Sequence, residues 1–389
     1  MKEFYGYRRP DGRVGIRNYI LILPASACAS DTTEKIAREI TGAVTFHNQQ
    51  GCSQLGRDFD YTMNVLAGFA ANPNVYATIL VGLGCENCQV PLVVEEIKKR
   101  TNKPLYYMTI QEEGGTIKCI ETATRLGKKL AAEAAMLQKE KFPISELMLA
   151  TECGGSDPTS GIAANPVIGA LSDLIVRDGG TSILSETTEF IGAEHILAAR
   201  AKDERIHDRI LEIVYRYEQH FKNVGEDARK GNPSPGNKEG GLTTLEEKSL
   251  GCIHKGGSTI VQEVYEYGEN IPAEQKGLVI MDTPGNDPSS IAGMLAGGAQ
   301  IVVFSTGRGT PMGSPLAPVI KITGNKFTFA SMEDNIDFDA SRFISGEKSI
   351  EELGEELYDM LIEFCNGKLT KAEALGYTET AIARQCNYA

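Results

Sequence analysis

Three cysteines lie in glycine-flanked turns, where thiolates could point into a cleft and hold a metal. Cys52 follows Gly51, Cys85 follows Gly84, and Cys153 is followed by two glycines. Three converging thiolates can bind a soft or borderline metal ion, or an iron–sulfur cluster with one open iron. The alternative is that each is a small buried hydrophobic residue, as free cysteines often are.

Acidic, basic and imidazole side chains occupy the same kind of glycine-rich loop. Carboxylates such as Glu86 and Asp157 could bind a hard cation or accept a proton, although charged loop residues are often simply solvated. The loops also carry His254 and four cations that suit a carboxylate or another small anion. The four cations are Lys238, Lys248, Lys255 and Arg308.

Alternating strand and helix patterns must position these loops. Apolar runs such as Val75–Leu83, Leu105–Ile110, Gly277–Met281 and Ile301–Ser305 end in glycine- or proline-bearing turns and are often followed by amphipathic segments. This order predicts an α/β fold with open, mostly parallel sheets flanked by helices. We expect two Rossmann-like domains, an N-terminal one over 1–138 and a C-terminal one over 139–389 with long glycine-rich loops. In such sheets the carboxyl ends of the strands converge on one ligand site.

Composition excludes several classes of protein. The 389 residues carry a formal net charge of −13, so nucleic acid and anionic membranes are unsuitable partners. The apolar runs are too short to cross a membrane, and the N-terminus lacks the apolar core of a signal peptide. Nine cysteines, an odd number, suit a reducing compartment, so we expect a cytoplasmic protein. No phosphate-binding lysine loop or dinucleotide fingerprint supports a nucleotide cofactor.

Long glycine-patterned blocks resemble the altronate and galactarate dehydratase family. They include Phe4–Tyr7, Asp11–Gly15, Gly82–Glu86, Gln111–Thr116, Cys153–Asp157, Ala164–Pro166, Pro235–Leu245, Glu247–Gly251, Asp282–Gly285 and Thr306–Gly309. The resemblance implies lyases that eliminate water from sugar acids and depend on ferrous iron or another divalent cation. It predicts a small-molecule hydroxy acid as substrate.

The resemblance also implies a partner. Full-length dehydratases of this family carry a small N-terminal SAF domain before these blocks, whereas this chain begins directly at Phe4–Tyr7. We therefore expect that domain to come from a separate small subunit, as in the two-subunit sulfolactate sulfo-lyase, whose beta subunit this chain resembles. A homo-oligomer is an additional expectation.

The implied reaction removes the proton from C2 of the acid and expels the group on C3, leaving a 2-oxo acid. Iron would be held by Cys52, Cys85 and Cys153, either as a ferrous ion or as a cluster. Proton transfer is assigned to Lys255, His254, Asp157 and Glu86, and substrate binding to Arg308, Lys238, Lys248, Asn165 and Ser156. Three functions remain open: an altronate-type dehydratase, a (2R)-sulfolactate sulfo-lyase and a non-catalytic subunit that binds a sugar acid.

Overall fold

A computed structural model describes residues 2–386 and confirms the α/β class. The strands are β1 (Glu3–Arg8), β2 (Val14–Gly15), β3 (Tyr19–Pro24), β4 (Ala43–Val44), β5 (Val75–Gly82), β6 (Leu105–Thr109), β7 (Glu140–Pro143), β8 (Met148–Cys153), β9 (Thr181–Leu184), β10 (Val261–Tyr265), β11 (Gly277–Met281), β12 (Ile301–Ser305), β13 (Val319–Thr323) and β14 (Phe338–Asp339).

The helices between them are α1 (Ala27–Arg38), α2 (Arg57–Ala71), α3 (Val90–Arg100), α4 (Thr116–Ala135), α5 (Asn165–Arg177), α6 (Glu194–Ala198), α7 (Glu204–Asn223), α8 (Ala228–Gly231), α9 (Pro235–Glu239), α10 (Leu245–Ile253), α11 (Asp287–Gly297), α12 (Lys326–Ser331), α13 (Ser341–Ile344), α14 (Ile350–Cys365) and α15 (Lys371–Leu375). None of the helices in the described part of the chain is long and apolar enough to cross a membrane.

Two parallel sheets form the framework. The N-terminal sheet has the strand order β4-β3-β5-β6, and the C-terminal sheet has the order β10-β11-β9-β8-β12-β13-β14. Every residue of β8, β9 and β12 is buried, as expected for central strands covered by helices on both faces. A small antiparallel sheet, β2-β1-β7, pairs the first strand with the segment that joins the two parallel sheets.

The two sheets are held together by helix α2 packed against helix α11. One apolar cluster contains residues of both helices, including Phe69 and Leu295. The helices approach closely at Gly68, where a Cβ would lie 2.3 Å from the carbonyl oxygen of Ala296. The Asn72 side chain donates to the carbonyls of Leu295 and Ala299, both at 2.8 Å. These contacts fix the N-terminal sheet relative to the C-terminal one.

Candidate active site

The strand order of the C-terminal sheet creates a crevice at β8. The chain leaves β8 for its neighbour β9 on one side, and later returns from β11 to β12 on the other side. Ligands of open α/β sheets bind where the connections diverge in this way, beyond the carboxyl ends of the strands. Residues that follow β8, β9 and β11 are therefore the first to consider as functional.

A buried ion pair lies at this edge. Helix α10 and the turn after it place Cys252 and Lys255 three residues apart, on the same side of the chain. The Lys255 ammonium group donates to the Cys153 sulfur at 2.8 Å and to Glu186 Oε2 at 2.5 Å. Burial alone would lower the pKa of Lys255. The surrounding thiols and carboxylates outweigh this effect and raise the pKa of Lys255 well above its usual range. Lys255 is a fixed internal cation.

A second ion pair holds Glu189. One carboxylate oxygen pairs with Lys248, and the other accepts from the Cys252 thiol at 2.6 Å and the Cys153 thiol at 3.2 Å. Burial alone would raise the pKa of Glu189, but the charges of Lys248 and Lys255 outweigh it and lower the pKa to about 2. Glu189 is thus an ionised hydrogen-bond acceptor.

The two sulfur atoms and Glu189 have the composition of a metal site. Cys153 Sγ and Cys252 Sγ are 3.4 Å apart, and together with a Glu189 oxygen they lie within 4.8 Å of one another. Thiolate and carboxylate ligands in this arrangement are compatible with zinc or iron. The pKa of the Cys153 thiol lies well above its usual value. The largest cause is the hydrogen bond to Cys252, and the second is burial.

A group of three carboxylates lies beside the thiols. Oxygens of Glu152, Glu186 and Asp287 lie within 4.8 Å of one another. Glu152 and Glu186 are fully buried, and each keeps one oxygen, Oε1, without a hydrogen-bond partner. Burial and the charge of Glu186 raise the pKa of Glu152 well above its usual value, and burial with two neighbouring carboxylates raises that of Asp287 to about 7. A divalent cation would satisfy the unpartnered oxygens and relieve this repulsion.

A cavity of about 760 Å³ lies beside the thiol group and the carboxylate group. Its wall includes Cys153 and Glu189 of the thiol group, Asp287 of the carboxylate group, and Lys248 of helix α10. The rest of its wall combines hydroxyl and amide groups with aromatic and charged side chains. The hydroxyl and amide groups belong to Thr188, Asn232, Ser234, Asn237 and Asn286, and the other side chains include Tyr217, Phe221, Glu226, Asp227 and Lys230. Its size is in the range of small-molecule sites, and its polar groups suit a substrate with several hydroxyls.

A smaller cavity of about 260 Å³ lies on the other side of Lys248. Five of the residues predicted from the sequence line it, namely Ser156, Asp157, Asn165, Lys248 and His254. The structure therefore brings these five residues together, although only Lys248 also reaches the larger cavity.

Comparisons with known proteins connect this site to a family. The family model for the C-terminal part of D-galactarate/altronate dehydratase matches residues 144–387, and the model for the second domain of D-galactarate dehydratase/altronate hydrolase matches residues 6–135. The chain belongs to the D-galactarate/altronate dehydratase family. Members of this family are lyases, and the chain is accordingly a lyase.

Named relatives in the D-galactarate/altronate dehydratase family align over nearly the whole chain. Altronate dehydratase of Escherichia coli is 38% identical over 98% of this chain and 77% of its own length. The (2R)-sulfolactate sulfo-lyase subunit beta of Chromohalobacter salexigens is 36% identical over 98% of this chain and 97% of its own length. Galactarate dehydratase (L-threo-forming) of Escherichia coli is 32% identical over 94% of this chain and 73% of its own length.

The cysteines predicted to share a metal are divided between the two sheets. Cys153 ends β8 and is grouped with Cys252 and Glu189, whereas Cys52 and Cys85 follow β4 and β5 of the N-terminal sheet. In the described part of the chain, neither ligand group at the C-terminal sheet contains Cys52 or Cys85. The predicted domain ranges, 1–138 and 139–389, already placed Cys52 and Cys85 in one domain and Cys153 in the other, but the similar glycine-flanked turns suggested a single shared site.

Two residues predicted to transfer protons are engaged in shaping their own loops. Glu86 accepts from the backbone amides of Leu83 at 3.0 Å and Gly84 at 2.6 Å. The Asp157 carboxylate accepts from Thr159, Ser160 and Asn325 at 2.6–3.1 Å. Both carboxylates hold turns, and neither of them lines the larger cavity.

Two predicted substrate cations do not line the larger cavity. Arg308 is 43% exposed and pairs with Glu239 at 3.3 Å, and Lys238 is exposed in helix α9. Asn165 instead ties the helices to the sheet, since it accepts from Ser305 Oγ at 2.5 Å and donates to the Gly251 carbonyl at 3.0 Å. Lys248 alone among these predicted substrate ligands reaches the larger cavity.

The sequence interpretation missed Glu152, Glu186, Glu189 and Cys252. Glu152 lies within β8, and Glu186 and Glu189 follow β9, whose terminal loop lacks the adjoining glycines used to select the other loops. The rule that ligands collect beyond strand ends was the signal that could have identified Glu186 and Glu189. Cys252 precedes Lys255 by one helical turn, and that spacing could have identified the pair.

Proposed function

We propose that this chain is the large subunit of a metal-dependent lyase that dehydrates an altronate-like sugar acid to a 2-keto-3-deoxy acid. The observation that carries the proposal is the cavity of about 760 Å³, which has five hydroxyl or amide side chains in its wall beside the charged Lys248, Glu189 and Asp287. A polyhydroxy acid offers donors and acceptors to each of these groups. The relatives named as altronate and galactarate dehydratases support the same substrate class.

The three carboxylates, Glu152, Glu186 and Asp287, are the proposed ligands of a divalent metal. Their fit rests on the two buried oxygens that have no hydrogen-bond partner. The thiol group fits less well, since the sulfurs and Glu189 already satisfy one another and Lys255 donates to Cys153. A bound divalent metal supplies a Lewis acid that stabilises the negative charge formed when C2 loses its proton. Mn²⁺ and other hard divalent cations suit these oxygen ligands, and ferrous iron, a borderline ion, also binds carboxylates.

Lys248 is the proposed ligand of the substrate carboxylate. Its side chain is only 10% exposed and lines the cavity, so its ammonium group is held in place by Glu189 and by Asn232 Oδ1 at 2.9 Å. A fixed and largely desolvated cation binds a carboxylate more strongly than a mobile surface lysine does. Asn232 and Ser234, which line the same cavity, are the proposed hydrogen-bond partners of the hydroxyls.

Glu189 is the proposed acceptor of the C2 proton. It is ionised, it lines the cavity and it contacts Lys248. When the substrate carboxylate also engages Lys248, part of that lysine's charge is neutralised, and Glu189 becomes more basic. Lys255 keeps Glu186 and Cys153 in position and holds its own proton throughout.

A second candidate reaction is the release of sulfite from (2R)-sulfolactate. It is supported by the alignment that extends over 97% of a sulfolactate sulfo-lyase subunit beta. That relative's name also supports a separate small subunit as partner. The cavity favours the sugar acid, because a three-carbon sulfonate would leave much of it unfilled and would need more cations than Lys248 and the exposed Lys230.

The test is anaerobic purification with and without a co-expressed small subunit, followed by an assay for 2-oxo acid. Aldonates of the altronate type and sulfolactate are compared in the presence and absence of ferrous iron. Metal-dependent 2-oxo acid from the aldonate supports the proposal. Sulfite and pyruvate from sulfolactate, without turnover of any aldonate, would replace it with the second candidate.

A further inference from the structure

A group of cysteines lies at the carboxyl edge of the N-terminal sheet, in loops that contain none of the residues of the site described above. Strand β3 lies between β4 and β5 in this parallel sheet, so the loops that follow these three strands leave from the same edge. The loop after β3 leads into α1 and Cys28, the loop after β4 carries Cys52, and the loop after β5 carries Cys85. Topology therefore places three thiols at one end of the sheet.

Hydrogen bonds connect the loops that carry these cysteines. The amide of Ala27, next to Cys28, donates to the Gln50 carbonyl at 3.0 Å. The Gly51 carbonyl, next to Cys52, accepts from the amide of Cys88 at 2.9 Å in the turn that contains Cys85. The amide of Ser53 donates to Asn87 Oδ1 at 2.6 Å in the same turn. The loop of Cys52 is thus bonded to the loops of both other cysteines.

The three cysteines differ from the other thiols of this domain in exposure. Cys28 and Cys85 are exposed and Cys52 is half-buried, whereas Cys88 and Cys119 are buried. Burial raises the pKa of the Cys88 thiol to about 12 and that of Cys119 to about 11. Buried thiols of this kind are structural, whereas accessible thiols can reach an external metal or cluster.

The surroundings are suited to an anionic group. Cys28 lies in the first turn of the 12-residue helix α1, whose free amides favour negative charge. Ser26, fully buried just before this helix, has a hydroxyl without a hydrogen-bond partner. Gly51 packs against the same residue, since a Cβ there would lie 2.8 Å from the Ser26 Cα.

We propose that Cys28, Cys52 and Cys85 bind an iron–sulfur cluster. A single zinc ion would need the three sulfurs about 3.8 Å apart, given Zn–S bonds of about 2.3 Å. In the described part of the chain these sulfurs do not form a group with all members within 4.8 Å. An iron–sulfur cluster is compatible with a wider spacing of the three sulfurs, because each cysteine binds a different iron. Three cysteines leave one iron of a four-iron cluster free to bind a small molecule.

The test measures iron, acid-labile sulfide and visible absorption in the full chain after anaerobic purification and reconstitution with iron salts and sulfide. We expect near-stoichiometric cluster in the wild-type protein. Each of Cys28→Ala, Cys52→Ala and Cys85→Ala should reduce sulfide and the cluster absorption to background. The matched control, Cys365→Ala, removes a buried thiol of helix α14 and should retain both.

Circular dichroism with the thermal midpoint of each variant shows whether it is folded. Loss of the cluster in a folded Cys28→Ala protein supports the proposal. A wild-type protein that takes up no sulfide would overturn the proposal. A cluster that survives in all three single variants, or that is lost in Cys153→Ala, would also overturn it. These readouts do not involve turnover, so a lyase that binds iron without sulfide would refute this inference and leave the proposed function intact.

Discussion

The Lys255 ammonium nitrogen lies 2.8 Å from the Cys153 sulfur, and both side chains are almost completely buried. The same nitrogen pairs with Glu186 at 2.5 Å. One lysine therefore connects the ends of β8 and β9, the two strands that supply most of the candidate ligands. The positive charge of Lys255 balances the negative charge of the carboxylates that lie in the crevice.

Replacing Lys255 with methionine should destabilise the protein by about 3–5 kcal/mol, because Glu186 would be left buried without its counter-ion. Chemical denaturation measures the change. Lys118→Met, at an exposed position of α4, is the control and should change stability by less than about 0.5 kcal/mol. The additional substitution Glu186→Gln should recover part of the loss. Equal stabilities for Lys255→Met and the control would contradict the ion pair.

Glu152→Gln should abolish the stabilisation that a divalent cation gives to the protein. Binding to the folded state alone adds about 2.7 kcal/mol when the free metal is at one hundred times its Kd. Thermal unfolding with and without ferrous iron or Mn²⁺ measures this effect. Glu112→Gln, at an exposed position, should respond to metal as the wild type does. A full metal response in Glu152→Gln would exclude the carboxylate group as the site.

Glu189→Gln should lower kcat by about 10²–10⁴-fold, the usual contribution of a general base. Steady-state kinetics with an aldonate substrate provides the measurement. Glu226→Gln changes an exposed carboxylate that lines the same cavity and should keep kcat within a few fold. Similar kcat values for the two variants would remove Glu189 from the mechanism.

Stability should rise with pH between about 8 and 10.5 because of Lys321. Burial lowers the pKa of this lysine from 10.5 to about 8, although its ammonium group donates to the Met312 carbonyl at 2.8 Å. In that pH window the unfolded chain binds a proton that the folded chain lacks, so raising the pH favours folding. Urea unfolding at several pH values should show the rise in the wild type and a smaller one in Lys321→Met. Parallel curves for the two proteins would contradict the lowered pKa.

Local sequence patterns predicted the parallel framework well. The predicted apolar runs Gly277–Met281 and Ile301–Ser305 coincide with β11 and β12, because they are bounded by clear turn residues. The runs Val75–Leu83 and Leu105–Ile110 each extend one residue beyond β5 and β6.

The composition of the candidate site depended on long-range pairing that local patterns do not contain. Glu189 gains its charge partner from Lys248, 59 residues later, and Cys153 meets Cys252 from 99 residues away. Sequence reasoning identified Lys248, Lys255 and Cys153 as unusual but could not select their partners. The long segment between α7 and α10 contains the short helices α8 and α9 and supplies Asn232 and Ser234 to the cavity.

The most direct test of the central claim is the product formed from an altronate-type aldonate by the anaerobically purified protein with its small subunit. We expect a 2-keto-3-deoxy acid whose formation requires a divalent metal and falls by about 10²–10⁴-fold in Glu189→Gln. If the same preparation releases sulfite from sulfolactate and leaves every aldonate unchanged, the proposal of a sugar-acid dehydratase is contradicted.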